Sequence, residues 1–383
     1  MADNGSEPGL PLFDLRLEDA DLAAVAETLR SGWLTTGPRV EEFERVFAEH
    51  LGVRHALCVS SCTAALHLAY LAAGVGPGDE VIVPSITFAA TANAVLYCGG
   101  TPVFADIVGL DDPGIDPAHV ASLIGPRTKA VCAVHFAGYS AAIGELRDLC
   151  AQHGIALIED VAHAPSATFD GQRLGTFGLA GAFSFFSNKI LSCGEGGLLC
   201  TDDDDVAELV RRLRSQGMTS GSWSRHTGAT DTYDAVGLGF NYRFDETRAA
   251  LLLSRFGRLE QDIDRRRVLV RRYRDQFKNV PGLIVPFADS AVANSSCYVM
   301  PVLVEDPERQ GSLRRYLREQ RSIQTSLFYP AIHEFSVYEK LYGEQSLPLS
   351  QRWARSELTI PLFPHMSESD VDRVVEAIAE GLA

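Results

Sequence analysis

The chain has 383 residues, of which 46% are hydrophobic and 22% charged. That balance fills a large core and excludes global disorder, and at roughly 150 residues per domain the length allows about two and a half domains. The formal net charge, 34 − 50 = −16, repels a phosphate backbone and argues against nucleic-acid binding, so any nucleotide substrate needs local donors.

No apolar run reaches the roughly 18 residues of a membrane span. Met1–Leu10 is polar, lacks a basic start and does not read as a signal peptide. The eight cysteines form no CxxC pair, and several sit in apolar runs such as residues 130–136. Reduced, buried thiols in a cytoplasmic protein are the expectation, with no zinc or other metal pattern. Arginine supplies nearly all the positive charge, because the lysines are Lys129, Lys189, Lys278 and Lys340 alone.

In chain order, short apolar runs at 56–59, 80–83, 102–105, 130–135, 155–159, 182–186 and 197–200 predict strands. Helical patterns lie between them, for example at 64–73 and 143–153. This alternation predicts βα units and a mainly parallel sheet covered on both faces. The run Asp202–Asp205 predicts a helix start, where carboxylates suit the positive end of the dipole. From Glu246, apolar residues from Leu252 to Phe277 recur at steps of three and four and predict one long amphipathic helix, ended by Pro281-Gly282. Its Arg265-Arg266-Arg267 cluster reads as a solvated face or a set of ion pairs, not as an anion site. A strand near 298–304, a helix near 311–321, a strand near 323–328 and a last helix opening at Ser367 follow. The organisation expected is a flexible segment at 1–13, a large domain at 14–245, and a long helix with a smaller α/β domain at 246–383.

Three segments carry candidate chemistry. The run Ile155-Ala-Leu-Ile-Glu-Asp160 is a buried strand ending in acids. Ligands of α/β sheets sit beyond the carboxyl ends of strands, so Asp160 either faces a ligand or caps the next helix. Lys189 ends the aromatic run Phe183-Ser-Phe-Phe and precedes a Gly-Glu-Gly-Gly turn. Burial lowers an amine's pKa and makes it a usable nucleophile. A lysine able to form a Schiff base, paired with an acid for a pyridinium nitrogen, is what pyridoxal phosphate requires. Ser60-Ser-Cys-Thr63 opens a helix whose free N–H groups suit a phosphate, or it caps that helix and nothing more.

Together these residues resemble the DegT/StrS family of pyridoxal-phosphate-dependent nucleotide-sugar aminotransferases. The matching segments are Ser31-Gly-Trp-Leu-Thr-Thr-Gly-Pro38, Thr63-Ala-Ala-Leu-His-Leu-Ala, Gly76-Pro-Gly-Asp-Glu-Val-Ile-Val-Pro-Ser85, Ile158-Glu-Asp-Val-Ala-His163, the Lys189 segment, and Gly239-Phe-Asn-Tyr-Arg243. The resemblance runs from about Leu29 to the C-terminus. It implies fold type I of the pyridoxal-phosphate-dependent transferases: an α/β large domain with a mainly parallel seven-stranded sheet flanked by helices, and a smaller α/β C-terminal domain.

The resemblance also implies roles. Lys189 would anchor the cofactor and move the proton. Asp160 would keep the pyridine nitrogen protonated. Phe88 would stack on the ring, unless it is an ordinary core phenylalanine. Thr63 and Ser184, with the backbone of Cys62 to Ala64, would hold the phosphate, and His163 would lie near the cofactor's phenolic oxygen. Asn241 would reach the phosphate of a neighbouring subunit, which makes the active site a property of a homodimer. Trp33, Thr35, Arg243, Tyr329 and His333 are substrate-binding candidates. Two departures stand out. Cys62 replaces the glycine of the usual cradle, and Phe328-Tyr-Pro-Ala-Ile-His333 has phenylalanine where the family often has histidine. The reaction implied moves an amino group from L-glutamate to a keto-deoxysugar nucleotide. The Ser31–Pro38 segment points to C4 of a dTDP-4-keto-6-deoxyhexose, with C3 amination and a non-catalytic sugar-nucleotide-binding role as alternatives.

Overall fold

The computed structural model describes residues 9–383. Most of the segment expected to be flexible lies outside the described residues. Leu10, within it, is held: it is buried, and its N–H and C=O bond Ser322 and Gln324 at 2.8 and 2.9 Å.

Twelve strands are present among the described residues. They are β1 (His55–Val59), β2 (Glu80–Pro84), β3 (Thr101–Ala105), β4 (Thr128–Val134), β5 (Ala156–Asp160), β6 (Thr168–Phe169), β7 (Gln172–Arg173), β8 (Ala180–Ser184), β9 (Gly197–Thr201), β10 (Leu283–Ile284), β11 (Met300–Val304) and β12 (Glu357–Ile360). The central sheet has the order β1-β9-β8-β5-β4-β2-β3, with β9 alone antiparallel to its neighbours. All seven predicted strands are there, shifted by one or two residues at their ends. Alternate residues feed two cores. Val81, Val83 and Cys132 face one side with the apolar helix Cys62–Ala72, while Ile82, Val131 and Ala133 face the other. The five parallel neighbours and β1 therefore present their carboxyl ends along one edge, and β9 begins there.

Three expectations are corrected. The long helix is two helices, Glu246–Phe256 and Leu259–Phe277. Gly257 and Arg258 break it, and Arg258, off helical geometry at φ −114°, reaches the Asp21 carboxylate at 2.5 Å. No strand forms at 323–328, where Ile323 and Ser326 make only isolated bridges, to Leu10 and Thr359. The Phe328 N–H is taken at 2.7 Å by the buried Glu357 carboxylate, so it is withdrawn from any ladder. The third strand of the small sheet, β10-β11-β12, is Glu357–Ile360 instead. The arginine triplet is not a solvated face and only in part a set of ion pairs: Arg267 pairs with Asp264 at 2.9 Å, but Arg266 is 5% exposed and binds the carbonyls of Tyr298 and Leu362 at 3.1 and 3.0 Å. The Asp202–Asp205 run does open a helix, with Asp203 capping the N–H groups of Asp205 and Val206.

Candidate active site

The carboxyl end of β5 sets the centre. Successive side chains of a strand face opposite sides. Glu159, fully buried, turns away and accepts N–H groups from Gly175, Phe177 and Gly178 at 2.7, 2.7 and 2.9 Å, with His135 Nε2 at 3.0 Å. Four partners pin the strand end. Asp160 then faces the other side. Its Oδ2 accepts the Thr91 hydroxyl at 2.9 Å, and its Oδ1 accepts the Ala162 N–H at 3.1 Å. Burial pushes its carboxyl pKa up, while Ala162, Thr91 and the nearby Lys189 hold it down. A buried carboxylate so placed favours a cationic partner in front of it.

Lys189 stands on the turn after β8, where its N–H bonds the Phe186 carbonyl at 2.8 Å. Its Nζ lies 4.4 Å from the centroid of the Tyr298 ring. Burial lowers its pKa from 10.5 to about 8, and Asp160 opposes that shift. The neutral amine is therefore populated near neutrality, as a nucleophile and proton carrier needs. His163 lies close by. Its Nδ1 accepts the Ala137 N–H at 3.3 Å, which leaves Nε2–H to donate to the Tyr329 hydroxyl at 2.9 Å. Burial, with Lys189 adding to it, holds the imidazole pKa well below 6.5, so the ring is neutral.

These side chains line one cavity of about 580 Å³, with Cys62, Thr63, Phe88 and Ser184 also in its wall. Phe88 is 63% exposed, with its ring centroid 6.1 Å from that of Tyr329. It is not a core phenylalanine. At the cradle, Gly197 pairs with both Val59 and Ser184, across the seam between β1, β9 and β8. A Cβ on Gly197 would meet the Ser61 carbonyl carbon at 2.3 Å and the Cys62 nitrogen at 2.5 Å. The glycine is what lets the helix start sit against the sheet edge. Ser61 caps that helix through the Ala64 N–H at 3.1 Å. Ala64 is thereby engaged and stays outside the wall. The Cys62 thiol lies 4.0 Å from Asp160 Oδ1, and burial keeps it protonated.

Other sequence candidates are not gathered by the single chain. Trp33 packs against Trp223 and His226, at ring distances of 5.0 and 4.5 Å. Thr35 and Asn241 are exposed, and the Arg243 guanidinium meets no carboxylate or carbonyl among the described residues. His333 is buried at 1%, bonded through Nδ1 to the Ser85 hydroxyl at 2.6 Å, outside the cavity wall. Conversely, Thr91 and Tyr298 were not singled out from sequence. Thr91 closes the very segment that supplies Phe88, four residues after its hydroxyl partner Thr87 (2.9 Å). Tyr298 comes from the start of the small α/β layer, and nothing local in the sequence marks it.

The cavity fits pyridoxal phosphate on its own chemistry: a buried amine of lowered pKa, a buried acid aimed at the same space, and a helix start kept open by Gly197. Fold and site define a pyridoxal-phosphate-dependent aminotransferase of fold type I. The chain belongs to the DegT/DnrJ/EryC1/StrS aminotransferase family, which it matches over residues 16–379. It is 39% identical to the spore coat polysaccharide biosynthesis protein SpsC of Bacillus subtilis over 368 residues, 94% of each chain. In structure it resembles the aminotransferase TlmJ of Streptoalloteichus hindustanus (37% identity, TM-score 0.88, 98% of each chain). It also resembles DesV of S. venezuelae, solved in complex with a ketimine intermediate (35% identity, TM-score 0.89, 98% of each chain). The chain is a sugar aminotransferase of this family. No helix among the described residues is long and apolar enough to cross a membrane.

Proposed function

We propose that the chain moves the amino group of L-glutamate to C4 of a nucleoside-diphosphate 4-keto-6-deoxyhexose, dTDP-linked, as a homodimer with shared active sites. The observation that carries the reading is Lys189, its amine of lowered pKa in one cavity with the buried Asp160. When bound, pyridoxal phosphate supplies a carbonyl that accepts the amino group and a ring that withdraws electrons from the reacting carbon.

The residues divide the work. Lys189 would hold the cofactor through its amine and, once the incoming amino group has displaced it and freed that amine, would carry the proton taken from the donor's α-carbon; with the sugar it would move a proton in the opposite sense. Asp160, held in place by Thr91 and Ala162, would keep a proton on the ring nitrogen. Thr63 and Ser184, with the free N–H groups of Cys62 and Thr63, would take the phosphate, because the helix dipole favours an anion there. Neutral His163 and Tyr329 would meet the phenolic edge. Phe88 would cover the ring. Asn241 serves the neighbouring subunit's site, a role its exposure supports. Arg243, whose guanidinium has no ion-pair partner among the described residues, takes a substrate carboxylate or phosphate, which its planar fork suits. Support for C4 comes from the Ser31-Gly-Trp-Leu-Thr-Thr-Gly-Pro38 segment.

The test is a product assay. Purified enzyme, glutamate and matched 3-keto and 4-keto dTDP-deoxysugars are incubated, and NMR reads which carbon bears nitrogen. A 4-amino product is expected, and exclusive 3-amino product would overturn the assignment of position.

A further inference from the structure

Behind the turn that carries Lys189 lies a second cavity, of about 500 Å³, walled by residues 187–190, the two helices flanking Gly257, and the extended segment 13–18. Five arginines and three carboxylates line it, in a chain whose net charge is −16. The charges do not cancel pairwise. Arg258 is committed to Asp21, and Arg16 to Asp14. Arg255, Arg265 and Arg266 have no carboxylate within ion-pair distance among the described residues. They hold main-chain carbonyls instead: Ile190 for Arg255 at 3.2 Å, Met366 for Arg265 at 2.8 Å, and Tyr298 and Leu362 for Arg266.

Two of these three are more than nine-tenths buried, Arg255 at 6% and Arg266 at 5% exposure. Their Nε–H groups, and Nη1 of Arg255, have no acceptor among the described residues. A buried guanidinium with donors unused and no ion-pair partner is costly, and the ordinary remedy is an anion. Asp262 faces the same space and offsets part of that cost through its charge at longer range, yet its carboxylate makes no ion pair or side-chain hydrogen bond there among the described residues. The cavity thus combines an excess of fixed positive charge, unused buried donors and room for a molecule of several heavy atoms.

We propose that this cavity is a second site, beside the cofactor's and sharing Asn188 and Lys189 with its wall, for a small oxyanion of the dicarboxylate or phosphate class, held by Arg255, Arg265 and Arg266. Arg255 couples it to the active site. The same guanidinium that meets the anion grips the Ile190 carbonyl, one residue beyond Lys189. Occupancy therefore tightens the 187–190 turn. The inference rests on side chains outside the sugar pocket and stands whatever sugar is aminated.

The test uses holoenzyme loaded with pyridoxal phosphate, so that the cradle beyond Ser61 is filled. Calorimetric titrations with inorganic phosphate and with 2-oxoglutarate, at ionic strength held constant with chloride, measure binding. Saturable binding of at least one anion per chain is expected. Because 2-oxoglutarate is the keto acid left by glutamate and can also occupy the cofactor's cavity, the anion whose binding Arg255→Gln weakens distinguishes a phosphate site from a dicarboxylate site. Arg255→Gln keeps a donor for Ile190 but loses the charge, and should weaken that binding roughly ten-fold or more. In unaltered protein, saturating anion should slow amide hydrogen exchange at residues 187–190. Absence of saturable binding for both anions overturns the proposal. So does an Arg255→Gln variant that binds as tightly as the parent, because the anion then sits elsewhere.

Discussion

His163 Nε2 and the Tyr329 hydroxyl lie 2.9 Å apart, joining the end of the central sheet to the segment that leads into the small sheet. The imidazole is neutral because burial disfavours its charged form. Tyr329→Phe removes the acceptor and leaves a buried N–H without one. We expect kcat to fall roughly ten-fold for the loss of one hydrogen bond at the site, with the melting temperature little changed. Steady-state kinetics and calorimetry check this. Unchanged kcat would remove the pair from the chemistry.

The amine of Lys189 gives a pH signature. Its pKa in the folded chain is about 8, below the ordinary 10.5, so the neutral form is favoured from about pH 8 upward. Capture of pyridoxal phosphate by apoenzyme should accelerate up to about pH 8 and then level off, because neutral amine is the reactive form. Stopped-flow absorbance measures it. A rate still climbing toward 10.5 would mean that the amine is not desolvated.

Gly197 carries the cradle. Gly197→Ala places a Cβ 2.3 Å and 2.5 Å from two main-chain atoms, neither of which is a flexible side chain. The start of the helix Cys62–Ala72 must shift. Overpacking of this kind costs about 1–3 kcal/mol, and we expect weaker cofactor retention with it. Denaturant unfolding and equilibrium dialysis test both. Cofactor affinity equal to the parent's would show that the cradle lies elsewhere.

Shared active sites predict complementation. Lys189→Ala and Asn241→Ala homodimers should each be inactive or nearly so. After mixing and subunit exchange, hybrids carry one intact site, and activity should recover to roughly a quarter of the parent's by random pairing. No recovery, with exchange verified by mass spectrometry, would place Asn241 in its own chain's site, and an Asn241→Ala homodimer as active as the parent would place it outside any site.

The central sheet was legible because period-two apolar runs and the buried-strand end at Asp160 are local signals. The pairing of Lys189 with Asp160 in one cavity was equally legible, since the βα rhythm carries both to one sheet edge. Tyr298 and Thr91 were not legible as partners, because each meets its target through tertiary packing. The break at Gly257-Arg258 was missed for a related reason. The apolar spacing runs through it, and only the distant Asp21 explains why Arg258 leaves helical geometry. The 323–328 run has a strand's composition, but Glu357, a buried acid with its pKa raised to about 8 by burial, claims the Phe328 N–H.

The most direct measurement is covalent. Holoenzyme is reduced with borohydride, digested and mapped by mass spectrometry. The account predicts the pyridoxyl label on the peptide containing Lys189 and on no other. A label on Lys129, Lys278 or Lys340, or no label at all, would contradict it.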